Sequence, residues 1–150
     1  MEKISLPNTI LFDEVTRLLS EGREVIVPTK GSSMLPFIRG ERDSVVLLQK
    51  LTFEPGDIVL ALVDKDRYVL HRIWSVDQDA VTLMGDGNLC GKEQCSTSDI
   101  SGTVTHIVKP DGHRISVETQ KFRRRSRIWR KLLPLRRYIL AVYKRMNVQL

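Results

Sequence analysis

Hydrophobic and polar positions change their period twice along the chain. Leu11, Val15, Leu18 and Leu19 recur at helical spacing between Asn8, a good N-cap, and Gly22, a C-terminal stop, so one amphipathic helix is predicted over residues 8–22. From residue 24 the apolar positions fall instead in short runs rich in Val, Ile and Leu, at 24–28, 44–49, 58–63, 68–76, 80–84, 102–108 and 114–118. Turn signals separate them at Pro55-Gly56-Asp57, Asp77-Gln78-Asp79, Gly85-Asp86-Gly87-Asn88 and Pro110-Asp111-Gly112. Seven closely spaced strands predict a mainly β fold, an antiparallel sandwich or partly open barrel. At Lys121 the helical period returns, with Ile128, Leu132, Leu135, Ile139, Val142 and Met146 on one stripe and Trp129, Tyr138 and Tyr143 beside it. This predicts one helix, or two joined at Pro134. The chain therefore divides into a body, residues 1–120, and a tail, residues 121–150.

Length and composition fit one ordinary domain: 150 residues with 41% apolar and 28% charged positions can bury a core and are unlike a disordered chain. The longest run without Asp, Glu, Lys or Arg is nine residues, at 4–12 and again at 100–108, far short of the roughly 20 that a spanning helix needs. Acidic Asp13 and Glu14 and the lack of a sustained apolar run argue against a cleavable secretory signal. Cys90 and Cys95, four residues apart in a polar stretch, suit reduced thiols, so a cytoplasmic location is expected.

Charge changes the reading of the tail. The net charge is +6, yet residues 121–150 hold eleven Lys and Arg and no acid, leaving thirteen basic against eighteen acidic residues in the body. Three roles compete for such a tail: docking on the body, lying in an anionic membrane surface, or binding nucleic acid. Bulky apolar residues beside cations favour an interfacial helix over residues 122–147, peripheral on the inner face of a membrane, whereas a nucleic-acid arm needs less apolar surface.

Candidate chemistry lies in the loops. Lys30-Gly31-Ser32-Ser33-Met34-Leu35-Pro36 follows the first strand, and taken alone it is a turn with solvated hydroxyls. It is followed in order by Gly40-Glu41, Pro55-Gly56-Asp57-Ile58-Val59-Leu60, Val69-Leu70-His71-Arg72-Ile73 and Gly85-Asp86-Gly87-Asn88. In this order and at these spacings the set resembles the peptidase clan of type I signal peptidases and LexA-type self-cleaving repressors. It looks most like the branch, found in archaeal and endoplasmic-reticulum signal peptidases, in which His replaces Lys as general base. The likeness covers residues 25–108. It implies a β-rich fold with a serine nucleophile on a loop beside peptide-binding strands. By match to the motifs, Ser33 would be the nucleophile, His71 the base and Asp86 the acid that orients the histidine.

Physical chemistry supports the first two roles separately. A serine hydroxyl needs a base to take its proton as it attacks, and histidine has the appropriate ordinary pKa. On a strand over 68–76, alternation puts Val69, His71 and Ile73 on one face and Tyr68, Leu70, Arg72 and Trp74 on the other. A histidine between apolar neighbours stays neutral at rest, as a base must. Arg72 then points away, toward an acidic partner.

The third role stays open. An acid is needed to fix the imidazole tautomer, but Asp in Gly-Asp-Gly-Asn is equally what a tight turn selects. The Asp-rich stretch that follows this motif in the histidine branch is missing; Lys92-Glu93-Gln94 stands there, making Glu93 the rival acid. Signal peptidases also commonly carry Ser-Gly-Ser before the Met, where the earlier hydroxyl helps bind the oxyanion. Here Gly31-Ser32-Ser33 leaves the Ser33 N–H, with the Ser32 hydroxyl as the available substitute for a donor worth about 3 kcal/mol. A further departure is Glu41-Arg42-Asp43-Ser44, where the family usually passes directly from Gly-Asp into a strand.

Cys90, Cys95, His106 and His113 have neither Cys-x-x-Cys nor paired-His spacing, and no glycine loop follows a strand-to-helix pattern, so no metal or cofactor is expected. The expected function is a serine endopeptidase acting on a peptide or protein precursor by acyl transfer. The alternatives are a non-catalytic peptide-binding or regulatory module on the same fold and a self-cleaving repressor-type switch. One helix before residue 24 is too little for a helix-turn-helix, which weighs against the switch.

Overall fold

The computed structural model describes residues 8–147, and the protein is mainly β. Helix α1 (Asn8–Ser20) leads into strands β1 (Val25–Pro28), β2 (Ser44–Leu48), β3 (Ile58–Val63), β4 (Arg67–Asp77), β5 (Ala80–Met84), β6 (Glu93–Ser96), β7 (Ile100–Val108) and β8 (Arg114–Ser116). Helices α2 (Gln120–Lys131) and α3 (Arg136–Asn147) follow, joined by a 3-10 turn at Leu133–Leu135. The predicted first helix ends two residues early, because Gly22 takes φ +80° and its N–H returns to the Leu19 carbonyl at 3.0 Å.

All eight strands form one antiparallel sheet, a half barrel with the order β1-β2-β7-β3-β4-β5-β6, and β8 pairs with the end of β7. The sheet has an apolar cluster on each face, which explains why β3 reads as an unbroken apolar run rather than an alternating one. Ile58 and Leu60 join Val15 and Leu19 of α1, together with Val45, Leu47, Val104 and Ile107. Val59, Ala61 and Val63 join Val69, Ile73, Val81 and Leu83 on the other side. Helix α1 is tied to the sheet by polar contacts as well: Tyr68 donates to Asp13 at 2.9 Å, and the Thr16 and Ser101 hydroxyls are 2.9 Å apart.

Two differences from the sequence pattern matter for the site. Glu93–Ser96 is a strand, paired with β5 through Leu83↔Glu93 and Val81↔Cys95, where a polar loop was expected. The tail takes the two-helix form joined at Pro134, but α2 buries Phe122, Ser126 and Trp129 rather than the predicted stripe. Ile128, Leu135, Val142 and Met146 of that stripe face outward. Among the described residues no helix is long and apolar enough to cross a membrane.

Candidate active site

Residues 29–43 connect β1 to β2 and form a closed loop. The Thr29 amide donates to the Asp43 carbonyl at 3.1 Å, its hydroxyl donates to the same carbonyl at 2.7 Å, and the Glu41 amide donates back to Thr29 at 2.8 Å. The buried Asp43 carboxylate accepts from the Arg39 amide at 2.8 Å and pairs with Lys109 at 3.1 Å. Asp43 belongs to the segment that departs from the family pattern, and its carboxylate holds the loop base shut. Met34 and Ile38 are buried in the α1-side core, which fixes the loop from within. Ser33 is half-buried and Ser32 exposed.

The serine loop rests on the glycine turn after β5. Gly87 donates its amide to the Ser33 carbonyl at 2.7 Å. A Cβ on Gly85 would lie 2.5 Å from that carbonyl oxygen, and one on Gly87 would lie 2.1 Å from the Ser32 carbonyl oxygen. These glycines supply close approach of two backbones. The β4–β5 ladder pairs Ile73↔Leu83 and Arg72↔Met84, and the glycine turn follows directly from Met84. The serine loop therefore packs on the turn that begins one residue after the Arg72↔Met84 pair.

His71 shows the expected alternation. It is opposite Val59 on β3, lies between Val69 and Ile73 on the same face, and is 6% exposed. Burial pushes its pKa below the ordinary 6.5, and the nearby Glu93 carboxylate only partly opposes this. Nδ1 is 2.7 Å from Glu93 Oε1, but its N–H points off that oxygen and makes no aligned hydrogen bond. The other Glu93 oxygen binds Arg67, which also reaches Asp64 at 3.2 Å, so the carboxylate is held between Arg67 and His71.

The expectation that Asp86 orients the histidine is corrected by this geometry. Asp86 is buried on the opposite side of β4 and is engaged by Arg72 through two bonds, Nε to Oδ1 at 2.8 Å and Nη2 to Oδ2 at 2.7 Å. The two carboxylates divide between the faces of β4: Arg72 takes Asp86, and His71 takes Glu93. Glu93 reaches the histidine because β6 is a strand, across Leu83 from Ile73 and on the same face as His71.

Arg72 gathers more than its carboxylate. Its Nη1 donates to the Gly56 carbonyl at 2.9 Å and to the Ser126 hydroxyl of α2 at 3.0 Å, and its guanidinium lies over Phe37 and Phe122. Trp129 Nε1 donates to the Asp86 carbonyl at 2.9 Å, and Arg136 Nη1 donates to the Asn88 carbonyl at 3.0 Å. The tail thus clamps the glycine turn that supports the serine loop. Periodicity places Trp129 beside the tail's apolar stripe, with docking on the body as one of its roles, but gives no weight to Ser126 or Arg136, which are polar.

His106 contacts the Thr105 hydroxyl, and His113 contacts Asp111 on its own turn. Cys90 and Cys95 are free thiols, and among the described residues no three His, Cys, Asp or Glu side chains converge as a metal site. Compared with known proteins, the chain matches no family model and no curated protein.

Proposed function

We propose that the protein is a serine peptidase resembling the Ser/His branch of the signal-peptidase and LexA-type clan, acting on a peptide or protein substrate. The observation that carries this reading is a buried histidine with a carboxylate at Nδ1, on the strand whose ladder runs into the turn against which Ser33 packs.

In this reading the Ser33 hydroxyl attacks the scissile carbonyl while His71 Nε2 takes its proton. Glu93 stabilises the resulting imidazolium from Nδ1. The imidazolium then gives its proton to the leaving amine, forming an acyl-enzyme. Water attacks the ester, His71 again acts as base, and the Ser33 hydroxyl is restored. The Ser33 amide, with the Ser32 hydroxyl nearby in the chain, supplies the oxyanion donors. Strand β1 is an edge of the sheet and leads directly into the serine loop, which gives an extended peptide backbone groups to pair with. Two free thiols fit a cytoplasmic workplace.

Gly31 favours a second reading, a peptide-binding module with little or no turnover, because it removes a side-chain donor two residues before Ser33. Treatment of the full chain with a fluorophosphonate, followed by peptide mapping, separates the two. Covalent labelling at Ser33 that disappears in both Ser33→Ala and His71→Gln is the expected result. An unlabelled Ser33 in a folded protein that still binds peptides gives the second reading.

A further inference from the structure

We infer that the outer face of α3 is a docking surface for an anionic lipid bilayer. This goes beyond the peptidase reading and does not depend on it.

The structure splits the tail's apolar residues into two sets. Phe122, Trp129 and Leu140 are buried in contact with the rest of the chain, as are Ser126 and Arg136. Leu135, Tyr138, Val142 and Met146 are left outward, the last three 65%, 58% and 72% exposed. At 100° per residue the last three fall within an arc of about 80° on α3, away from the side that carries Arg136, Leu140 and Tyr143, and Leu135 precedes them in the 3-10 turn. Ile128 of α2 is exposed too, but it lines a separate groove with Phe37, Ile107 and Ile115. Lone exposed apolar residues need no explanation, whereas a continuous stripe along one helix marks a surface that something covers.

Charge selects the occupant. On α3 the exposed Arg145 lies next to the stripe, Arg137 and Lys144 lie farther round the helix, and residues 121–150 contain no acid. Face-to-face pairing of two copies through this stripe would bring like charges together, which disfavours self-association. A nucleic acid would engage the cations but leave the stripe in water. An anionic bilayer takes both, with the stripe at the acyl boundary and the cations among the headgroups. The docked side remains with the domain, so binding requires no unfolding of the tail.

Flotation of the full-length protein with vesicles of phosphatidylcholine alone, or mixed equally with phosphatidylglycerol, tests this. Binding to the mixed vesicles should exceed binding to the neutral ones at least about tenfold. Val142→Asn with Met146→Gln, which alters no charge, should weaken it about tenfold, and Arg145→Gln about fivefold. Circular dichroism of both variants should match the parent, since all three side chains are exposed. Equal binding to the two vesicle types, or no effect of the Val142/Met146 pair, overturns the inference. So does dimerisation in light scattering that this pair abolishes without any flotation. Duplex DNA binding tighter than vesicle binding and fully lost in salt assigns the tail to nucleic acid instead.

Discussion

The amide of Gly87 donates to the carbonyl of Ser33 at 2.7 Å, so the serine loop and the turn after β5 share a backbone hydrogen bond and sit too close for side chains between them. A methyl group at residue 87 would meet the Ser32 carbonyl oxygen at 2.1 Å. Gly87→Ala should therefore move the serine loop, costing about 1–3 kcal/mol of stability and slowing fluorophosphonate acylation of Ser33 at least about tenfold. Gly91→Ala is the control: it has open space but φ +90°, so it should cost stability by backbone strain while acylation stays near the parent rate. Acylation and urea denaturation of both variants decide the matter.

The two carboxylates beside β4 should separate cleanly by phenotype. Asp86→Ala leaves the Arg72 guanidinium buried without its bidentate partner and should destabilise the fold by about 3–5 kcal/mol. Glu93→Gln, on an edge strand, should leave the denaturation midpoint nearly unchanged while lowering the acylation rate about a hundredfold or more. The reverse pattern, with normal acylation in Glu93→Gln, would remove Glu93 from the mechanism.

The pH dependence follows from burial of His71. Its folded pKa lies below 6.5, so at pH values between the two the unfolded chain binds the proton and the folded one does not. The stability associated with this group is fully present above 6.5 and is lost as pH falls through that value toward the folded pKa. The acid limb of Ser33 acylation should accordingly lie below 6.5, and Glu93→Gln should move it lower still, since Glu93 is the main group raising the histidine pKa. An NMR titration of the His71 ring, alongside the pH–rate profile, measures both shifts.

Cys90 and Cys95 should differ sharply toward an alkylating reagent. Burial, with Asp99 and Glu93 nearby, pushes the Cys95 thiol up to about 11, so at pH 8 only about one thiol in a thousand is ionised there. Cys90 is exposed. Iodoacetamide followed by peptide mapping should label Cys90 first, with Cys95 modified only on unfolding.

The sheet was legible in the sequence because both faces of its central strands are apolar and glycine turns punctuate them. The faces of β4 also followed from alternation alone, including an acidic partner for Arg72. Which carboxylate that would be did not follow. Glu-Gln-Cys-Ser has almost no apolar character, since β6 is a half-exposed edge strand whose order comes from pairing with β5. With β6 read as loop, Glu93 had no fixed position, and the turn that carries Asp86 looked the better neighbour for His71. The side of the tail that docks was less legible: Phe122, Trp129 and Leu140 turn to the body together with Ser126 and Arg136, polar residues that periodicity does not count.

The Arg72 guanidinium connects β4, the turn before β3, the glycine turn and α2 from one buried point. Such a cross-tie makes the first tail helix part of the same cooperative unit as the sheet. Amide hydrogens in α2 should then exchange as slowly as those of β4, through global opening, while the last turn of α3 frays on its own. A protease given the native protein would accordingly trim from the far end and stall before Trp129, so the smallest stable fragment retains α2.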